Sequence, residues 1–165
     1  MIYIVNLSFS RLEIKNITDY FNNIFVGGVK EDPRKVSGLG AYIDTALPMF
    51  VDGNVYLNGA ITYKQEKNQL ESVEDPNIQM EELENGIYLS MHMDKSIARM
   101  KNRVVNTELL GKARIPNQKF ENPDGTEITI DTDYSGKKRN IRNPSPGPFR
   151  FDSKMQIYLK VWPKE

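Results

Sequence analysis

Asn22-Asn23-Ile24-Phe25-Val26-Gly27-Gly28 is echoed by Asp52-Gly53-Asn54-Val55-Tyr56-Leu57-Asn58-Gly59. Each copy carries an Asn, a β-branched residue, an aromatic, a branched apolar residue and a glycine-bearing turn. Asn23 and Asn54 stand 31 positions apart, and self-similarity at a fixed period points to stacked supersecondary units. In such a stack, strands lie about 4.8 Å apart and equivalent side chains sit above one another. An Asn so placed bonds its counterpart along the ladder and satisfies turn carbonyls. The competing reading is two unrelated strands, each beside an Asn turn.

Outward from this pair, alternating apolar residues predict a strand over Met1 to Phe9 rather than a signal peptide, for which basic leader and cleavage site are lacking. A second strand is expected over Leu12 to Ile17. Val29 to Phe50 reads as a long excursion, with Leu39 to Ile43 a short strand or one helical turn. Thr62 to Asn77 is polar, and Glu71 to Glu84 carries acids without a Lys or Arg, the pattern of a solvated surface. Ile87, Leu89, Met91 and Met93 alternate with polar residues and make Gly86 to Met93 the clearest strand. Asn85-Gly86 is a tight-turn signal, which makes Ile78 to Leu83 the hairpin partner. Asp94 caps a short helix through Ile97, Met100, Lys101 and Val104. Val104 to Leu110 returns to β-like composition. Gly111 to Phe149 is a Pro- and Gly-rich wrap whose only strand is expected at Glu127 to Asp131. Met155 to Trp162 closes the chain as a strand, with Gln156, Tyr158, Lys160 and Trp162 on one face.

The composition narrows the chemistry. A chain of 165 residues and 19.0 kDa is expected to be a single β domain, 1–165, divided into strands over 1–60, a hairpin and short helix over 61–110, and a wrap and closing strand over 111–165. Twenty-two basic and 22 acidic residues cancel, which argues against nucleic acid as the partner. No Cys and one His exclude thiolate chemistry and any two-His metal motif. No apolar run is long enough to span a membrane.

Phe120-Glu121-Asn122-Pro123-Asp124-Gly125-Thr126, Asp133-Tyr134-Ser135-Gly136-Lys137-Lys138-Arg139 and Gly147-Pro148-Phe149 form a closing pattern. It resembles the C-terminal region, a domain of unknown function, of secreted pectate-lyase-like right-handed parallel β-helix proteins. Val36 to Asp44 and Thr107 to Ala113 resemble the same region, and the two Asn echoes resemble the last coils of such helices. The resemblance runs from about Asp19 onward. It implies an all-β fold, with terminal β-helix-like coils capped by further strands and the wrap; an antiparallel β-sandwich is the alternative. It implies a secreted, periplasmic or cell-surface setting, an upstream β-helix domain of a parent chain as partner, and a non-catalytic carbohydrate-associated or helix-capping role. The enzyme alternative is a polysaccharide lyase or glycoside hydrolase acting on pectin-like polymers. Calcium would enter only with the lyase; otherwise no cofactor or metal is expected, and the calcium-binding acids and catalytic base of those lyases have no match here.

Lys137, Lys138 and Arg139 are the bases nearest a glycine turn, with Asp131 and Asp133 as acids on one strand face. A structural ion pair competes with substrate contact for them. Seven bases between Lys95 and Lys119 against Glu108, together with Lys137 to Arg142, would form a polyanion-binding patch if they met in space. Tyr134, Trp162, Tyr158 and Tyr88 offer flat faces to sugar rings. The candidate ligand-binding residues are therefore Lys137, Lys138, Arg139, Tyr134 and Trp162, with an acidic polysaccharide as ligand and no assigned catalytic residue. His92 is expected at or near the surface, without a role.

Overall fold

The structure is a computed structural model that describes residues 18–28, 37–43, 49–113, 115–151 and 154–163. The strands expected at Met1 to Phe9 and Leu12 to Ile17 lie outside these residues. The fold is all-β. Strands β1 (Thr18–Phe21), β2 (Ile24–Val26), β3 (Met49–Asp52), β4 (Val55–Leu57) and β5 (Leu70–Ser72) come first. They are followed by β6 (Gln79–Leu83), β7 (Gly86–His92) and β8 (Gln156–Trp162).

The Asn echo is a parallel ladder in register. Ile24 lies against Val55, Phe25 against Tyr56 and Val26 against Leu57, while β1 runs parallel to β3 one corner earlier. At that corner Asn23 donates from its backbone and from Nδ2 to Asn54 Oδ1, at 2.8 and 3.0 Å. Asn54 Nδ2 in turn donates to the Tyr20 carbonyl. A third pass, β5, pairs parallel with β4 fifteen positions on, Val55 against Leu70. It lies within the polar stretch that the sequence marks only as surface, because Asn68-Gln69-Leu70-Glu71-Ser72 lacks the aromatic and the glycine turn of the other copies.

β4 is buried on both faces, as a central parallel strand must be. Tyr56 points into a cluster with Tyr20, Leu39, Ala60 and Tyr63. Val55 and Leu57 point the other way, into a cluster with Met91, Met93, Ile97, Met100, Met155 and Ile157. That second cluster glues the parallel passes to the antiparallel sheet β6-β7-β8.

The β6-β7 hairpin forms as Asn85-Gly86 predicts. The acids of the 71–84 segment are exposed. Asp94 caps a 3-10 turn, Lys95–Arg99, by accepting the Ser96 N–H at 2.7 Å. Leu39 to Ile43 resolves as a 3-10 turn at Gly40–Tyr42. Three expectations change. Val104 to Leu110 is not a strand: Asn106 caps a helical turn over Thr107–Leu110 by accepting the Leu109 N–H. Glu127 to Asp131 makes only isolated bridges, Glu127 to Glu121 and Thr129 to Asn106. In β8, a register shift beside Ile87 sets Trp162 opposite Ile87 and Lys160 opposite Tyr88. The extra residue, a β-bulge, takes Trp162 out of the row of Tyr158.

The wrap is built from successive tight turns. Asn122 donates to the Thr126 carbonyl and Gly125 to the Asn122 carbonyl. Eleven positions on, Asp133 and Lys137, then Gly136 and Asp133, repeat both bonds. Gly147 seats the wrap on the stack: its N–H donates to the Asn22 carbonyl at 2.7 Å, and its missing Cβ leaves room for the Ile24 side chain.

Candidate functional site

A cleft of about 810 Å³ opens between the β7-β8 ribbon and the wrap. On the ribbon side Ser90 stands opposite Tyr158 and His92 opposite Gln156, and all four line the cleft. On the wrap side the turn that contains Gly136 supplies Asp133, Tyr134, Ser135 and Lys137, and the chain beyond Pro148 supplies Phe149 and Arg150.

The aromatic walls are braced. Tyr158 is 62% exposed and stacks on Tyr88 with ring centroids 5.2 Å apart and planes 18° apart. Its hydroxyl donates to Glu81 Oε2 at 3.4 Å, and desolvation, then the Glu81 charge, push the phenol above its usual range. Tyr88 covers one side of the ring, and Tyr158 itself lines the cleft. Across from it, Tyr134 meets Phe149 edge-on at 5.7 Å and is anchored by its hydroxyl, which donates to the Val161 carbonyl at 2.7 Å.

The cations separate by role. Lys138 Nζ is bonded to Asp131 Oδ2 at 2.6 Å. Arg139 spends its whole fork on the backbone: Nε donates to the Thr132 carbonyl, Nη1 to that of Ser145 and Nη2 to that of Gly147, at 2.9, 2.9 and 2.7 Å. Burial lowers its pKa and the Asp133 charge opposes that shift. Lys137 is bonded to Asp133 through its backbone alone, its N–H donating to Asp133 Oδ1 and its carbonyl accepting from the Asp133 N–H. Lys137 and the exposed Arg150 both line the cleft, and neither forms an ion pair among the described residues.

Of the five residues singled out from sequence, the structure therefore brings Tyr134 and Lys137 into the cleft, commits Lys138 and Arg139 to internal bonds, and leaves Trp162 outside the lining. Arg150, Phe149, Asn77 and His92 also line it; sequence reasoning did not select them as ligand contacts. The only signal for Arg150 was its place directly after Gly147-Pro148-Phe149. Elsewhere, a second polar cluster is fully internal. Glu66 is 7% exposed and accepts from the Asn54 N–H, from Asn54 Nδ2 and from the Tyr56 hydroxyl, at 2.9, 2.9 and 2.7 Å. Burial raises the pKa of its carboxyl against the pull of those hydrogen bonds, and burial together with Glu66 raises that of Tyr56. This cluster is buried and ties Glu66 to the β4 corner of the stack. Among the described residues no group of three or more His, Asp or Glu converges on a metal position.

No protein-family model matches the chain, and no curated protein matches it. Among solved structures it is similar to one described as the complex structure of XylC with xylose, at a TM-score of 0.72 and 28% identity over 87% of this chain. The chain spans about a quarter of that protein, 26% of its length.

Proposed function

We propose that the chain is a non-catalytic carbohydrate-binding module that ends a parallel β-helical stack in a larger polysaccharide-degrading protein. Its ligand is a glycan that carries acidic sugars. The cleft carries this reading: aromatic walls at Tyr158 and Tyr134, hydrogen-bonding groups at Ser90, His92 and Gln156, and two cations without acid partners among the described residues. Sugar rings pack their C–H faces on aromatic rings, and a carboxylate takes the bidentate fork of an arginine. Similarity to a protein described in complex with xylose supports a glycan rather than another polyanion. The in-register parallel passes support a place in a β-helical stack. Of Lys137, Lys138 and Arg139, the bases available to a lyase, the last two are held by Asp131 and by backbone carbonyls, which favours binding over turnover.

Calorimetric titration with polygalacturonate, glucuronoxylan and a neutral glucan, at low and moderate salt, tests the reading. Heat is expected with an acidic polymer and weakens as salt rises. Tyr158→Ala should cost about tenfold in affinity, whereas Trp162→Ala should leave it unchanged. Absence of heat with all three polymers overturns the proposal.

A further inference from the structure

A smaller cavity of about 260 Å³ lies behind the cleft, and Arg150 and Phe151 line both. Its character differs from that of the cleft. Ile97, Met100, Met155, Pro144 and Pro146 give it apolar walls. Most of its polar neighbours are already engaged: Arg139 on the Ser145 and Gly147 carbonyls, Asn143 on the Met100 carbonyl and the Asn102 N–H, the Ser145 hydroxyl on the Phe149 carbonyl, and Asn140 Oδ1 on the Arg142 N–H. A hydroxylated sugar ring entering this space would lose its hydrogen bonds to water and find few replacements. A small apolar group would lose nothing, and two methionines give the walls the adaptability to close on it. Arg150, which lines both spaces, carries a set of donors without an acid partner among the described residues.

A largely apolar recess that shares the donor Arg150 with the neighbouring cleft suits one common glycan decoration. We infer that the small cavity receives the acetyl group of an O-acetylated sugar, with the methyl against Met100 and Met155 and the ester carbonyl accepting from Arg150. The inference rests on the glycan-binding reading of the cleft and gives that cleft a preference for acetylated over bare chains. Arg150 has five donors in a planar fork, enough to face a carboxylate on the cleft side and an ester carbonyl on the other.

The test compares polygalacturonate and glucuronoxylan, each with and without chemically added O-acetyl groups, by titration against the wild-type chain and Ala98→Phe. Ala98 is an exposed residue of the 3-10 turn that lines the small cavity, so the larger ring fills the recess without entering the main core. The expected result is about fourfold tighter binding of the acetylated form by the wild type. Ala98→Phe loses that preference while it still binds the bare polymer, which also shows that the variant is folded. Equal affinity of the wild type for both forms overturns the acetyl pocket and leaves the glycan cleft standing. So does a preference that survives in Ala98→Phe. Binding of neither form of either polymer overturns the cleft reading and the pocket with it.

Discussion

Glu66 shows how one side chain organises the parallel passes. Three donors from two residues converge on its carboxylate inside the stack. Glu66→Ala leaves them unpaired and should lower stability by about 3 kcal/mol, measured as a shift in the urea midpoint. The carboxyl also makes stability depend on pH. Its folded pKa is raised above the ordinary 4.5, so its contribution is fully present below about that pH and fades as pH rises through the folded value. Glu66→Gln keeps an oxygen for Asn54 and cannot ionise. Relative to the wild type, this variant should gain stability as the pH is raised from 4.5. A wild-type-minus-variant difference that stays flat with pH would count against the assignment. Arg139→Lys is the second residue-scale case. An ammonium cannot span the carbonyls of Thr132, Ser145 and Gly147 together, and the loss should be about 1–2 kcal/mol by thermal denaturation.

At the scale of elements, strand periodicity was legible where one face is apolar and the other polar. Ile87, Leu89 and Met91 on β7 and Ile157 and Leu159 on β8 announce their buried face, and Asn85-Gly86 announces the turn between β6 and β7. Three things escaped. β5 is recognisable only by its pairing, because its own residues carry a weak pattern. The turns of the wrap hold by isolated bridges and Asx contacts, which leave no periodic signature. The bulge opposite Ile87 is invisible to an alternation rule that assumes one residue per step, and it moves Trp162 off the row of Tyr158. Gly86 makes the bulge possible. It sits at φ 145°, and a Cβ there would run into the Trp162 carbonyl and crowd Lys160. Gly86→Ala should cost about 2 kcal/mol and loosen the β7-β8 pairing, seen as faster amide exchange in β8.

Across the whole molecule, the candidate cleft was not legible as a site because it joins side chains from segments distant in sequence. Asn77, His92, Tyr134, Lys137, Arg150 and Tyr158 meet only when the wrap closes over the ribbon. Residue type alone could not separate Lys137, which faces the cleft, from Lys138 and Arg139, which serve the fold. A ligand bound between ribbon and wrap should stabilise both together. At a concentration 100 times the dissociation constant, the gain is about 2.7 kcal/mol, and for a chain of this length about 2–4 °C in melting temperature follows from each of those kcal/mol. Calorimetric scans with and without polygalacturonate read this directly, and Lys137→Ala combined with Arg150→Ala should abolish the shift.

The spacing of the parallel passes has a practical consequence. β2 and β4 are joined in register across 31 positions, β4 and β5 across 15. The ladder therefore sets its own alignment, and the length of chain between rungs is free to vary. Closing a loop of twice the length costs only about 0.6 kcal/mol more. Chain added between β2 and β4, such as an epitope or a fluorescent reporter, should accordingly leave the pairing of Ile24 with Val55 in place.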